Sequence, residues 1–265
     1  MGDKAQFLVI VALTLSILLV SITLVIYETT TIIEVSPVGD EWFITLNVEH
    51  DFPRALARAL AVATSNSQAT NETASSDASK ELETWRTAFL FAYATEGVKA
   101  NITDNSGLIL APDHYRNVIM PDNSIATYYI PEVKFNNYVV LRWKFPEAIS
   151  AISASLRVDC ESEGLYGWNY TYVVYLNVTV VEIRQVDSQY NITLIVRNER
   201  GPVEDLDLGN FQVSEISESD IDLYIFGSGK YIISFSTSLT KVDITVVDDR
   251  GVYVYVNDVP LRKES

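Results

Sequence analysis

The chain has 265 residues and carries 35 acidic against 19 basic side chains, a formal net charge of −16. Apolar residues make up 48%, too many for a disordered acidic tail, and the acid excess argues against a nucleic-acid partner, which needs a basic surface. The single cysteine rules out an intrachain disulfide framework, and two histidines, His50 and His114, leave most metal and nucleophile chemistries short of parts.

Phe7 to Tyr27 reads FLVIVALTLSILLVSITLVIY without a charge. Twenty-one residues rising about 1.5 Å each span roughly 31 Å, the thickness of a bilayer's hydrocarbon core. The expectation is a membrane helix in contact with lipid through residues 7–27. Lys4 and the terminal amine lie on the short side, whereas Glu28, Glu34, Asp40 and Glu41 open the other. This asymmetry places the N-terminus inside and the bulk of the chain outside the cell.

The run ends in YETTTIIE, which offers no small-residue cleavage site after it. Ahead of it, Asp3-Lys4-Ala5-Gln6-Phe7 resembles the archaeal class III, prepilin-type signal peptide: a short charged leader, a basic residue, a small residue, then often Gln and the apolar helix. The resemblance covers about the first thirty residues. It implies cleavage between Ala5 and Gln6, with Lys4, Ala5 and Gln6 as the processing site and the helix kept on the mature protein. It also implies pilin-like partners. Position 10 is Ile rather than the glutamate common in bacterial pilins. The β-branched run Thr29-Thr30-Thr31-Ile32-Ile33, then Pro37 and Gly39, predicts an early end to any stem.

Outside the membrane, alternation of Trp42, Ile44, Leu46 and Val48 predicts a strand. Phe52, Leu56, Leu60 and Ala63 then predict a helix whose other face carries Arg54 and Arg58, with His50 just ahead of it. Leu82, Trp85, Phe89 and Tyr93 predict a second helix, capped at its start by Ser76 or Asp77 and closed near Gly97. The polar stretch SNSQATNETASSDAS between them reads as a mobile loop. Strands are expected at Val98–Thr103, Ile125–Ile130, Tyr138–Phe145 and Ile152–Asp159, with His114 in a loop. These strands are the natural cover for the helix pair.

From Tyr170 the alternation sharpens. Leu176, Val178 and Val180 form one apolar face, followed by Ile192, Leu194 and Val196. Tyr231, Ile233 and Phe235, then Val242, Ile244 and Val246, then Val252, Val254 and Val256 continue the series. Such strands predict an antiparallel sandwich. NERGPVEDLDLGNF and the later GSGKYIISF resemble immunoglobulin-like modules of surface proteins, over about ninety residues. The expected fold class is α+β, mainly β outside one N-terminal transmembrane helix. Its regions are a leader (1–5), the membrane helix (6–30), a membrane-proximal α+β region (31–168) and the immunoglobulin-like sandwich (169–265).

Five Asn-x-Thr sequons, at Asn71, Asn101, Asn169, Asn177 and Asn191, are candidate glycosylation sites. Asn71 is expected in the polar loop, and Asn177 and Asn191 on polar strand faces. Glu204 to Asn210 loosely resembles half a calcium loop without its closing glutamate, and both it and Asp248-Asp249 read as solvated acidic turns. Cys160 reads as a buried thiol, with an intermolecular disulfide as the alternative. The densest aromatic stretch, Tyr166 to Tyr172, reads as packing that could also meet a partner or glycan. No catalytic, cofactor or metal constellation is evident. The expected role is structural or adhesive, as an anchored extracellular surface protein meeting other surface proteins or glycans. The alternative is a subunit of a type IV pilus-like filament, which a stem helix reaching past residue 45 would favour.

Overall fold

The structure, a computed structural model, describes residues 40–262 apart from 163. The leader, the membrane segment and the processing residues Lys4, Ala5 and Gln6 lie outside the described residues. Among the described residues no helix is long and apolar enough to cross a membrane. The chain divides into two compact units, Met1–Leu46 and Asn47–Ser265, and the architecture below is that of the second.

Two helices open the described chain, α1 (Asp40–Thr64) and α2 (Asn71–Ala92). The strand expected at Trp42–Val48 is therefore helical. Ile44, Val48, Phe52, Leu56 and Leu60 are buried at four-residue steps, so two of the alternating positions, Ile44 and Val48, belong to a helical stripe that runs on to Ala63, while Leu46 is exposed. His50 sits within this helix rather than ahead of it. Helix α2 begins well before Ser76. Thr70 is its N-cap, and Thr70 and Thr73 cap each other's backbone N–H groups, so the expected mobile loop shrinks to 65–70. Buried Ala74, Ser75 and Ala78 explain the small residues of that stretch, because they let the helix approach the strands closely.

The body is mainly β. Its first strands are β1 (Val98–Asp104), β2 (Ile109–Ala111), β3 (His114–Ile119), β4 (Ile125–Ile130), β5 (Val133–Lys134) and β6 (Val139–Arg142). The long pair β7 (Glu147–Cys160) and β8 (Leu165–Val186) follows, then β9 (Gln189–Asn198) and β10 (Gly201–Pro202). The chain closes with β11 (Phe211–Val213), β12 (Asp222–Ile225), β13 (Lys230–Ser236), β14 (Lys241–Val247) and β15 (Tyr253–Pro260). One large sheet runs β1-β7-β8-β9-β13-β12, with β6 on β7, β10 on β9 and the β3–β4 hairpin on β8. It is antiparallel save for one parallel bridge, Ile119 to Glu182. A small sheet runs β11-β14-β15, and β2 and β5 form a ribbon. The boundary expected between residues 168 and 169 falls inside β8, which pairs with β7 and with β9 along its length.

The helices cover one face of β7 and β8. Phe52 meets Trp85 (5.5 Å) and Tyr170 (6.3 Å), and Tyr170 stacks between Trp168 and Tyr172. Val133, Phe135 and Val140 cover Ile149 and Ala151 on the other face. Farther along, the apolar faces of the small and large sheets meet, with Phe211 against Tyr231 at 5.1 Å. Tyr231 also donates its hydroxyl to the Val203 carbonyl (2.8 Å). The β12–β13 turn needs Gly229, since at φ +71° a Cβ there would lie 2.3 Å from the Val196 carbonyl oxygen.

Strand β6 shows how an edge is closed. Its Val139 and Leu141 N–H groups turn away from β7 and donate to Ser75 Oγ (3.1 Å) and Asn71 Oδ1 (2.6 Å), one helical turn apart on α2. Ser75 is buried, so Ser75→Ala strands a buried N–H and is expected to cost about 1–3 kcal/mol. Asn71→Ala, at an exposed position where water replaces the amide, is expected to cost less. Denaturant unfolding of the two variants checks the order.

Candidate functional site

Two buried ion clusters stand out. In the first, the Glu147 carboxylate at the start of β7 is only 7% exposed. Its Oε2 accepts from Arg116 (2.8 Å) and lies 3.2 Å from His114 Nε2. Its Oε1 accepts from Arg142 and from Asn177, at 3.2 and 3.3 Å. Arg142 also donates to the Pro131 carbonyl (2.6 Å). Burial works to raise the Glu147 pKa, but the Arg116 hydrogen bond, the charges of Arg116 and Arg142, and His114 together hold it below the ordinary carboxylate range. His114, expected in a loop, is the first residue of β3 and belongs to this cluster. With Arg116 donating to Oε2 and Arg142 and Asn177 to Oε1, the carboxylate joins β3, β6, β7 and β8.

The second cluster corrects the reading of Asp248 as part of a solvated turn. Asp248 is buried, and its Oδ1 accepts from the N–H groups of Arg250 and Val252 at 3.1 and 3.0 Å. Its Oδ2 pairs with Arg250, whose guanidinium also reaches Glu199 Oε1 (2.6 Å) and the Tyr175 carbonyl (3.1 Å). Glu199 Oε2 in turn accepts from Tyr175 N–H (3.1 Å). Burial raises the Asp248 pKa despite Arg250, while the two carboxylates outweigh burial and raise that of Arg250. The triad ties the β14–β15 turn of the small sheet to β8 and to the β9–β10 turn of the large one.

The other sequence candidates disperse. Cys160 is buried, and its thiol meets the Glu96 carbonyl and Ser162 Oγ, both at 3.3 Å, rather than a histidine. Asp207 is a helix cap, accepting from Gly209 N–H at 2.9 Å. Of the sequons, Asn101 and Asn169 are exposed, and both are registered against Arg157 on neighbouring strands. Asn71 is exposed at the start of α2, where its carbonyl oxygen serves the Leu141 N–H. Asn177 is not on a solvated face, because it is half-buried and bonded to Glu147 and Thr179. Asn191 is half-buried, with Thr193 buried beside it. The Trp168, Tyr170 and Tyr172 rings pack together, leaving Tyr166 exposed. Among the described residues no three His, Cys, Asp or Glu side chains converge as metal ligands.

Three grooves stand out among the described residues. One of about 540 Å³ is lined mainly by Met120, Tyr128, Phe145 and Pro260. A second, about 340 Å³ along α1, is edged by Arg54, Arg58, Arg200 and Arg250. Arg54 faces Asp51, Arg58 faces Glu81 and Arg250 is saturated, so little net positive charge remains there. The third, about 760 Å³ and the largest of these three, lies on the outer face of the small sheet and is lined mainly by polar residues, with Val213 and Tyr255 as its apolar part. No family model, curated protein or solved structure matches the chain.

The two clusters respond oppositely to acid. A depressed Glu147 pKa means stability that is complete above its ordinary value of 4.5 and is lost as pH falls through the folded value. Glu147→Gln is therefore expected to unfold more readily near neutrality and to show a shallower loss of stability below pH 4.5, read by urea unfolding across pH. Arg250→Ala leaves Glu199 and Asp248 buried without their cation and is expected to cost about 3–5 kcal/mol. Because Asp248 is already raised, that deficit is expected to shrink as pH falls and the carboxyl protonates in the fold. A deficit constant with pH would assign the loss to packing.

Proposed function

We propose that the protein is a membrane-anchored extracellular surface protein with a structural or adhesive role and no catalytic one. The observation that carries this reading is the uncharged run Phe7–Tyr27 ahead of a compact β-rich unit, Asn47–Ser265. Lys4 inside and the acidic residues after Tyr27 outside support the orientation, and Lys4, Ala5 and Gln6 are the proposed processing site. The exposed sequons at Asn101 and Asn169 fit a surface that carries glycans, and Asn71 is a third position. The engagement of both buried carboxylate clusters by arginine, and the separation of Cys160 from the histidines, support a role without chemistry. The facing sheets joined through Phe211 and Tyr231 support an immunoglobulin-like sandwich in the distal part.

One observation favours the second reading, a subunit of a pilus-like filament. Helix α1 covers Asp40–Thr64, so the positions expected to form a strand at Trp42–Val48 are helical past residue 45, while the stretch between Tyr27 and Asp40 through which a stem would run lies outside the described residues.

Intact-mass analysis of the native N-terminus, together with fractionation, tests both readings. Under the first, the chain starts at Gln6 and stays with membranes until detergent is added. A start at Met1 or Gly2 removes the prepilin-type processing. Recovery in sheared extracellular fibres makes the filament reading the better one.

A further inference from the structure

We infer that the outer face of the small sheet is a binding site for a neutral saccharide. The inference rests on the adhesive surface reading for its setting and names the ligand class that such a role would use.

Alternation along β11, β14 and β15 sends Phe211, Val213, Ile244, Val246, Val254 and Val256 into the core. The residues between them must face outward. Register aligns them across the strands: Gln212 lies opposite Thr245, and Thr245 opposite Tyr255. Beside this row stand Ser214, Asp243 and Asn257; Ser214 N–H donates to the Asp243 carbonyl (2.9 Å), and Asp243 N–H donates to Ser214 Oγ (2.8 Å). The outer face of a sheet is ordinarily polar, but this one is concave, because residues 65–67 of the α1–α2 connection wall it to give about 760 Å³. That volume falls within the range of about 300–1,000 Å³ typical of small-molecule sites.

The wall is fixed to the floor. Tyr253 N–H donates to Thr64 Oγ1 (3.1 Å), and the Tyr255 hydroxyl donates to the Thr64 carbonyl (3.4 Å). The Thr64 hydroxyl in turn donates to the Leu60 carbonyl within α1 (2.8 Å). The protein's own hydrogen bonds thus hold wall and floor together, which lowers the ordering cost of binding.

Its chemistry is specific in kind. Among the described residues the side-chain amides of Gln212 and Asn257 and the Thr245 hydroxyl have no protein partner. Ser214 Oγ accepts one bond and keeps its proton to donate. Asp243 Oδ1 accepts from Asp258 N–H (2.8 Å), leaving Oδ2 free. Donors and acceptors therefore alternate over a few ångströms. An amide presents one of each side by side, the match for a pair of neighbouring sugar hydroxyls, each of which both donates and accepts. Tyr255 adds an aromatic wall for the C–H face of a pyranose; its ring is backed by Trp143 (4.6 Å) and parallel to Tyr253. The one aliphatic residue at the groove, Val213, buries its side chain in the core, so Tyr255 is the main apolar surface offered to a ligand. No Lys or Arg lines the groove while Asp243 does, and the chain carries −16, so uronate and sulfated sugars are disfavoured.

The test uses the full chain in a detergent without a sugar headgroup, titrated with neutral di- to tetrasaccharides of glucose, galactose, mannose and N-acetylhexosamines, and with sulfated and uronate counterparts. Ligand-observed NMR gives occupancy, and calorimetry gives affinity. At least one neutral saccharide is expected to bind below about 10 mM. Gln212→Ala and Asn257→Ala are each expected to weaken it about tenfold without shifting the thermal midpoint, as outward-facing substitutions should not. Absence of neutral-sugar binding, preference for the anionic sugars, or binding indifferent to both substitutions overturns the inference. If the chain is processed and membrane-held but binds no sugar, this inference alone falls. If it binds sugar but starts at Met1 or Gly2, the prepilin part of the surface reading falls instead.

Discussion

Strand β7 is the constraint around which the rest is arranged. From Glu147 to Ser153 it is buried on both faces, and on the face shared with Leu156, Val158 and Cys160 the burial continues to its end. A strand in that position has to be covered twice. One cover is the helix pair together with β15, whose Tyr253 carbonyl accepts from Ser150 Oγ at 2.6 Å. The other is the packing of Val133, Phe135 and Val140 on Ile149 and Ala151. The composition of β7 follows: Ala148, Ser150, Ala151, Ser153 and Ala154 are small, so layers on both sides can approach, and the buried serine hydroxyls are satisfied by named partners.

Covering a strand on both faces leaves its ends as the place where polar groups must be resolved without water. Glu147 stands at the entry of β7, and four side chains from β3, β6 and β8 converge on it. Such an arrangement does not gain much over an apolar one of the same shape. What it does is penalise alternatives, because a slipped register of β6 or β8 on β7 would leave an arginine or the carboxylate buried alone. Asp248, Arg250 and Glu199 apply the same logic between the sheets, where apolar contacts such as Phe211 on Tyr231 would tolerate sliding. The buried charges thus fix registers that packing alone leaves loose.

These dependencies mark what could be read from the sequence. One-sided strands were legible: Val178, Leu194, Ile233, Ile244 and Val254, each central to an alternating run, are all buried. Both helical stripes were legible from Phe52 and Leu82 onward for the same reason. Strand β7 was visible only from Ile152, since a strand covered on both faces shows no alternation where cover is complete. Trp42–Val48 misled because Ile44 and Val48 satisfy periods of two and of four alike over so short a run. The start of α2 was hidden by Asn, Thr and Ser, which read as loop when counted but act as a cap and a close-packing face when placed. Asp248 and His114 could not be placed at all, because Glu199, which shares Arg250 with Asp248, and Glu147, which meets His114, come near only through tertiary structure, and a charge looks solvated until its partners are known.

The same geometry bears on where recognition can occur. The large sheet is committed near its centre, with helices on one face and Val133 and Phe135 on the other, and two of its exposed aromatic residues, Tyr115 and Tyr129, stand on the β3–β4 hairpin and lean on each other at 5.5 Å. The small sheet has a single inner face to bury, and three strands suffice to bury it. Its outer face packs at one margin, where Tyr255 meets Trp143 and Thr64, while among the described residues the side chains of Gln212, Thr245 and Asn257 make no hydrogen bond within the protein and the backbone is held by the core beneath and by Thr64. A surface that is rigid, concave and only partly committed to packing is one whose remaining side chains can be chosen for a ligand, which is why outward-facing residues on β11, β14 and β15 carry the argument for binding while the buried ionic residues carry the argument for the fold.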